Sequence, residues 1–483
     1  MKNQLYAFIA VLAAMFTLSA GVSYADTYAG CTAPTTSTTA HTWYVDPVNG
    51  TATGDGSAEF PWKSLNDLIK GQYFANAPAY WDSVKKVMVK ANPNGPIKSG
   101  DTILLNTGEY GDIEIRGSSG TAAGLIGFNN TDFITIAAAP GQTPHLHSLA
   151  LLGGTKWVFR GLTITDNDAV APYRGALFYM GGEYKDIILD NNTLGTTNDT
   201  SKWTMKEWNT NVFNAISIHN GSEPYAKCVA ITNNKIKNVR FGIGFGSNYT
   251  LVKGNSVDYF ADDGIDIAGS HLLIENNFIT NSVENGDGFH RDGIQGQQLG
   301  DQTDVIINQN MVIRQTGDSN PFPGGLQGIS SFDGTLSNFT ISNNLVITNS
   351  PQGIAWYGVK NLTITHNTLL MDNGRAISCP ATGGYTACAT ATVQPTSPWP
   401  PTINVSASKT GVHPDNVLVA YNITTHLAID PLATNVTYTG NICPSIKQGA
   451  SNICQFALPI GPTKNTVWTN KPGTYGDRNY ILP

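Results

Sequence analysis

One corner of this chain's architecture is written into a two-part repeat along its middle, and that repeat limits the possible folds more than any other feature. The first part is a short apolar-alternating run ending in asparagine: Ile187-Ile-Leu-Asp-Asn-Asn192, Val229-Ala-Ile-Thr-Asn-Asn234, Thr250-Leu-Val-Lys-Gly-Asn255, Leu272-Leu-Ile-Glu-Asn-Asn277, Val305-Ile-Ile-Asn-Gln-Asn310, Phe339-Thr-Ile-Ser-Asn-Asn344 and Leu362-Thr-Ile-Thr-His-Asn367. The second is a small residue followed by isoleucine, at Gly242-Ile243, Gly264-Ile265, Gly293-Ile294, Gly328-Ile329, Gly353-Ile354 and Ala376-Ile377. Asn234, Asn255 and Asn277 are spaced by 21 and 22 residues, and the next step, to Asn310, is 33. A short fixed coil carrying loop insertions of variable length gives that spacing, which is the signature of a solenoid.

Alternation within each coil sends one side-chain row inward and the next outward. Stacking then turns each inward position into a ladder, expected here to run through Ile216, Ile243, Ile265, Ile294, Ile329, Ile354 and Ile377. Asparagine at a coil corner tolerates left-handed backbone, and stacked amides can bond to one another and to the turn. The pattern, from about Trp43 to Ile429, resembles the right-handed parallel β-helix shared by pectate lyases and their relatives. The expected fold class is therefore all-β, a parallel β-helix.

The 483 residues would suggest about three domains at ~150 residues each, but a solenoid is one array whose size follows repeat number. Fifty glycines and 13% charged residues suit such a turn-rich array. The expected organisation is a signal peptide over 1–25, a Thr/Ser/Ala-rich linker over 26–42, the β-helix with an N-terminal cap over 43–430 and a tail over 431–483 packing on it. Lys2, the apolar run from Leu5 to Leu18 and Val22-Ser-Tyr-Ala25 read as a secretory signal, placing the mature chain outside the cytoplasm, extracellular or periplasmic. No later segment has transmembrane length. Six cysteines permit three disulfides; the close pairs Cys379/Cys388 and Cys443/Cys454 suggest local bridges, leaving Cys31 with Cys228. A net charge of −7 supplies no basic field for nucleic acid or anionic lipid. The expected partner is an acidic polysaccharide, met through a cation or a local basic cluster by a monomeric chain.

Charge is sparse, so one concentration stands out: Asp262-Asp-Gly-Ile-Asp266 on one coil and His290-Arg-Asp-Gly-Ile-Gln295 on the next. Aligning the glycines puts Asp263 over Asp292, Asp262 over Arg291 and Asp266 over Gln295. Two bare carboxylates one coil apart, ~4.8 Å, repel by about 4 kcal/mol at an effective dielectric near 20. Something positive is required among them, and oxygen-only ligands suit Ca²⁺, with Arg291 as a second source of charge.

The Asp262, Asp263, Asp266 spacing resembles the calcium-binding coil of family 9 pectate lyases. That resemblance implies a calcium ion, with Asp292 as the fourth carboxylate because the upstream coil offers Arg240 instead of aspartate, and Gln295 stands where the family's lysine is expected. It also implies β-elimination on a uronic-acid glycan, in a groove along residues 240–360. His290 has a fitting intrinsic pKa for the base, Arg291 is expected outward as base or charge neutraliser, and Lys253 and Lys360 are further candidates. Gln295, Gln327, Trp356 and Tyr357 are the expected substrate contacts. Other readings of the same residues are coil-turn roles for Asp263 and Asp292, a solvated loop role for His290, a hydrolase pairing Asp262 with Asp292 or Asp287, a C5-epimerase, and a non-catalytic glycan-binding or surface β-helix.

Overall fold

The computed structural model describes residues 31–32, 40–82, 85–116, 128–166, 173–219, 227–296, 301–317, 319–372, 375–377, 393–395, 400–443 and 456–457. The expected signal peptide, most of the linker, Cys379, Cys388, Cys454 and nearly all of the tail beyond 443 lie outside them.

Each central coil contributes three strands. In one coil these are Ile265–Ile267, Leu272–Glu275 and Phe278–Ser282; in the next, Asp292–Gly296, Asp301–Asn308 and Met311–Ile313. Every strand pairs in parallel with its counterpart one coil on. The first two positions join in a 22-stranded sheet and the third forms a 10-stranded sheet. The chain is thus a parallel β-helix, with its core enclosed by the stacked strands.

The isoleucine ladder runs through Ile216, Ile243, Ile265, Ile294, Ile329 and Ile354 in direct register, all 0% exposed. Its next rung is Ile403, not Ile377. Ile377 sits in a small antiparallel pair, Arg375–Ile377 with Val393–Pro395, so the chain leaves the stack there and re-enters at Thr402–Ser406. The glycine ahead of each isoleucine has a steric cause. A Cβ on Gly264 would lie 2.6 Å from the Gly293 carbonyl oxygen of the next coil.

The asparagines form a second ladder. Asn255 donates its backbone N–H and its Nδ2 to Oδ1 of Asn277, at 3.0 Å each, and Nδ2 also reaches Ile231 O at 2.8 Å. The same arrangement links Asn277 to Asn310, Asn344, Asn367, Asn422 and Asn441 in turn. The left-handed backbone falls on the preceding residue, such as Asn276 (φ 55°) or Tyr421 (φ 56°). The stack continues past Asn422, since Thr434–Thr439 pairs with Asp415–Ala420.

Two attachments matter for the site. A short helix, Met205–Thr210, brings Trp208 against Ala261 and Val283, with Trp203, Tyr259 and Phe322 around them. This apolar patch braces the corners between the third strand of one coil and the first strand of the next. Cys31 is bridged to Cys228, as expected, and Thr32 N–H donates to Asp186 Oδ1, tying residues 31 and 32 to the coils. Cys443 is also disulfide-bonded. At the start of the stack, the helix Leu65–Lys70, capped by Ser64, buries Leu65, Leu68 and Ile69.

Candidate functional site

The charged cluster occupies two corners that Trp208 braces: Ala261 to Gly264, and a longer excursion from Val283 to Gly293. Register pairs Asp266 with Gln295, as the glycine alignment requires. Asp263 and Asp292 touch through the backbone, Asp292 N–H donating to Asp263 Oδ1 at 2.7 Å.

Arg291 departs most from expectation. Its side chain is 3% exposed and folds back into the excursion instead of pointing outward. Nε donates to Ala261 O and Val283 O, Nη1 to Phe289 O, and the guanidinium clasps Glu284 through Nη1 (3.0 Å) and Nη2 (2.9 Å). Nη2 also reaches Asn285 Oδ1 at 2.7 Å and lies 3.4 Å from Asp287. Saturated with acceptors and sealed from solvent, Arg291 shapes the loop and is not placed to meet a substrate. Asp262 is served by Arg240 of the upstream coil, Nε to Oδ2 at 2.5 Å.

Burial raises the proton affinity of two carboxyls in the cluster. Burial pushes Asp262 up to about 6, against the pull of Arg240, and Asp287 adds repulsion. Asp262 and Asp287 each shift the other's titration. Asp287 is itself buried, yet the Phe289 N–H and Arg291 hold it below the usual carboxylate range. The buried Oδ1 of Asp262 has no hydrogen-bond partner. Burial, with Asp266 and Asp292 nearby, drives Asp263 well above its ordinary value.

The residues do not fit the calcium cage implied by the resemblance. No three of Asp262, Asp263, Asp266 and Asp292 offer oxygens within 4.8 Å of one another. Asp262 faces Arg240, Asp263 accepts the Asp292 N–H, and both oxygens of Asp292 are engaged. The carboxylate pairings considered for a hydrolase fare no better. Asp292 is 0% exposed and Asp262 5%, so neither carboxyl is open to flank a scissile sugar bond.

His290 is different. Nδ1 lies 2.6 Å from Asp292 Oδ2, while Ser330 Oγ–H donates to Asp292 Oδ1. Its side chain is 52% exposed above a wholly buried carboxylate. The hydrogen bond to Asp292 raises its proton affinity above the ordinary histidine value, with burial, Arg291 and Lys409 opposing. This geometry fixes Nδ1–H toward Asp292 and leaves Nε2 as the basic nitrogen.

Around His290, Gln295 and Asp266 are half-buried, and Gln327 keeps a buried Oε1 without a donor. Tyr357 is half-buried, edge-on to Phe332 at 5.0 Å, and accepts from Asn404 Nδ2 at 3.1 Å. Trp356 is not a surface residue: it is 0% exposed and packs in the core against Phe339 at 4.6 Å. Its position, two after inward Ile354, carries that signal in the sequence. Lys253 and Lys360 stand on the second strand of their coils, Asn248–Lys253 and Val359–Thr365, away from this corner. Two residues not anticipated are Phe289, 70% exposed beside His290, and Lys409, which arrives from the segment after Thr402–Ser406 and pairs with Asp333 at 2.7 Å.

Residues 147–369 match the family model for a right handed beta helix region. No curated protein matches the chain. Among solved structures it is similar to pectate lyase Pel9A, with TM-score 0.36 and 15% identity over 83% of this chain and 79% of that one. It is also similar to the GH136 lacto-N-biosidase from Eubacterium ramulus (TM-score 0.39, 13% identity, 83% and 67% covered). A third similarity is to PfbA, a surface adhesin of Streptococcus pneumoniae (TM-score 0.40, 12% identity, 71% and 81% covered). Such likeness concerns the fold alone. The matched segment and the stacked coils together identify this chain as a right-handed parallel β-helix, the fold implied by its pectate-lyase-like resemblance.

Proposed function

We propose that the chain is a secreted polysaccharide lyase acting on a uronic-acid-containing glycan, with His290 as its base. The observation that carries this reading is the dyad of buried Asp292 and half-exposed His290. A buried carboxylate that orients an imidazole and stabilises its protonated form is what general-base catalysis requires. In the reaction, Nε2 takes the C5 proton, the C–H electrons form the C4–C5 double bond, and the C4–O bond breaks. The imidazolium can return the proton to the leaving oxygen. Abstraction at C5 needs the uronate carboxylate neutralised. Lys409, 69% exposed, is the cation suited to that task once it releases Asp333, with which it pairs at 2.7 Å, since Arg291 is sealed and the reading uses no metal. Phe289 and Tyr357 offer faces for sugar rings. The disulfide Cys31–Cys228 fits an oxidising compartment, and among the described residues no helix is long and apolar enough to cross a membrane.

The test is digestion of a panel of acidic polysaccharides, followed by near-ultraviolet absorbance and chain length. Shortened chains with a conjugated double bond are expected. Shortening without absorbance would point to a hydrolase, altered stereochemistry without shortening to an epimerase, and binding alone to a glycan-binding protein; each would overturn the lyase reading.

A further inference from the structure

We propose that Glu109, His145 and His147 form a binding site for one divalent transition-metal ion, of the zinc class. Glu109 and His145 lie on the 10-stranded sheet, near the start of the stack and apart from the strands that position His290, with His147 just past the end of its strand. Glu109 ends the strand Gly108–Glu109 and pairs directly with His145 of Pro144–Leu146; His147 follows immediately. Parallel pairing brings Glu109 beside His145, and the bend at His147, between Pro144–Leu146 and Ser148–Arg160, brings the third side chain to the same place. One ligand atom from each lies within 4.8 Å of the others, and the two imidazoles meet edge-on at 5.7 Å.

The hydrogen bonding around His145 leaves open a tautomer suited to a cation. Nδ1 faces a Glu109 carboxylate oxygen, while Nε2 lies 3.0 Å from the Thr165 carbonyl oxygen and 2.5 Å from its hydroxyl. A neutral imidazole has one N–H. One tautomer meets these contacts with Nδ1–H toward Glu109 and the Thr165 hydroxyl donating to Nε2. In the other, Nε2–H donates to the Thr165 carbonyl, as ligating histidines commonly do with their second nitrogen, and the Nδ1 lone pair is then free to share a metal ion with Glu109 and His147. Two imidazoles and one carboxylate suit zinc, cobalt, nickel or copper better than calcium. The side chains open onto a cavity of about 310 Å³ lined by Thr143, Thr163, Thr165 and Asn198 as well as Glu109 and His145, leaving room for water to complete the shell. Glu109, 71% exposed, keeps the entrance open to solvent.

The competing arrangement is a plain ion pair between protonated His145 and Glu109, which makes no use of His147. The experiment is a Co²⁺ titration of the full, tag-free, chelator-treated protein, read by visible absorbance and competed with Zn²⁺. One equivalent is expected to saturate a d–d band and be displaced by Zn²⁺. His147→Ala and Glu109→Gln should each weaken binding by roughly 100-fold, the upper range for loss of even a supporting group. Both variants should match the metal-free wild type in melting temperature, which separates ligand loss from unfolding. Absence of saturable one-equivalent binding, or binding unchanged in His147→Ala, would overturn the proposal.

Discussion

Between Asn192 and Asn441 one corner of the coil repeats a single side chain, each amide buried and bonded to the next. At the other corner, the segments Ala261–Gly264 and Val283–Gly293 share little beyond an aspartate and a glycine. There, burial raises the proton affinity of Asp262, and charge is answered by Arg240 and by an arginine folded inward. Where the repeat is exact, every polar group is answered by its own copy one coil away. Where it breaks, the groups are answered from elsewhere, and one imidazole remains turned to solvent.

The largest effect should come from His290→Ala. Loss of a general base costs about 10²–10⁴-fold in turnover, with little change in melting temperature because the side chain is half-exposed. In the wild type, activity should rise as pH passes above the ordinary histidine value, because the bond to Asp292 keeps His290 protonated to higher pH and only the neutral ring accepts a proton. A pH profile unchanged by the substitution would remove His290 from the chemistry.

Arg291→Ala should cost stability as well as activity. It leaves Glu284 buried and unpaired, a loss of about 3–5 kcal/mol for a broken buried ion pair. Denaturant melts would show it, and Glu284→Leu in the same chain should recover part. Unchanged stability would return Arg291 to the solvent-facing role the motif suggested.

Asp262→Asn sharpens the contrast through pH. The folded pKa, about 6, lies above the 3.8 of the free group, so the folded protein holds the proton more tightly between those values. Stability should fall as pH rises through that window and then level off, a swing on the order of 2–3 kcal/mol. The asparagine variant should lose the slope. At the repeating corner, Asn277→Leu should cost about 1–3 kcal/mol by stranding the donors of Asn255, with no such pH dependence.

The ladders were legible because a period repeated many times outweighs local ambiguity. Ile216 through Ile354 and the asparagines to Asn422 stand where the spacing puts them. Ile377 misled because its small-residue–Ile pattern survives in a segment that leaves the stack, and Ile403 takes the rung without that pattern. At the charged corner, the sequence picks out Asp262, Asp263, His290 and Asp292 as neighbours but not their directions. A corner breaks the two-residue alternation, so nothing local fixes whether Arg291 turns in or out. Lys409 carries no motif and reaches the site only through coil stacking.

The bridge from Cys31 to Cys228 has a mechanical consequence. Open-ended repeat arrays can fray from their termini, each coil held by its immediate neighbours. Here the chain ahead of the first coil is fastened well up the stack, closing a ring across a sequence separation of 197 residues. The first coils cannot peel away freely as a tail. They must open inside a closed loop, so a pulling force applied at residue 31 is passed directly to the coil that carries Cys228, and the opposite end becomes the natural place for the array to unzip.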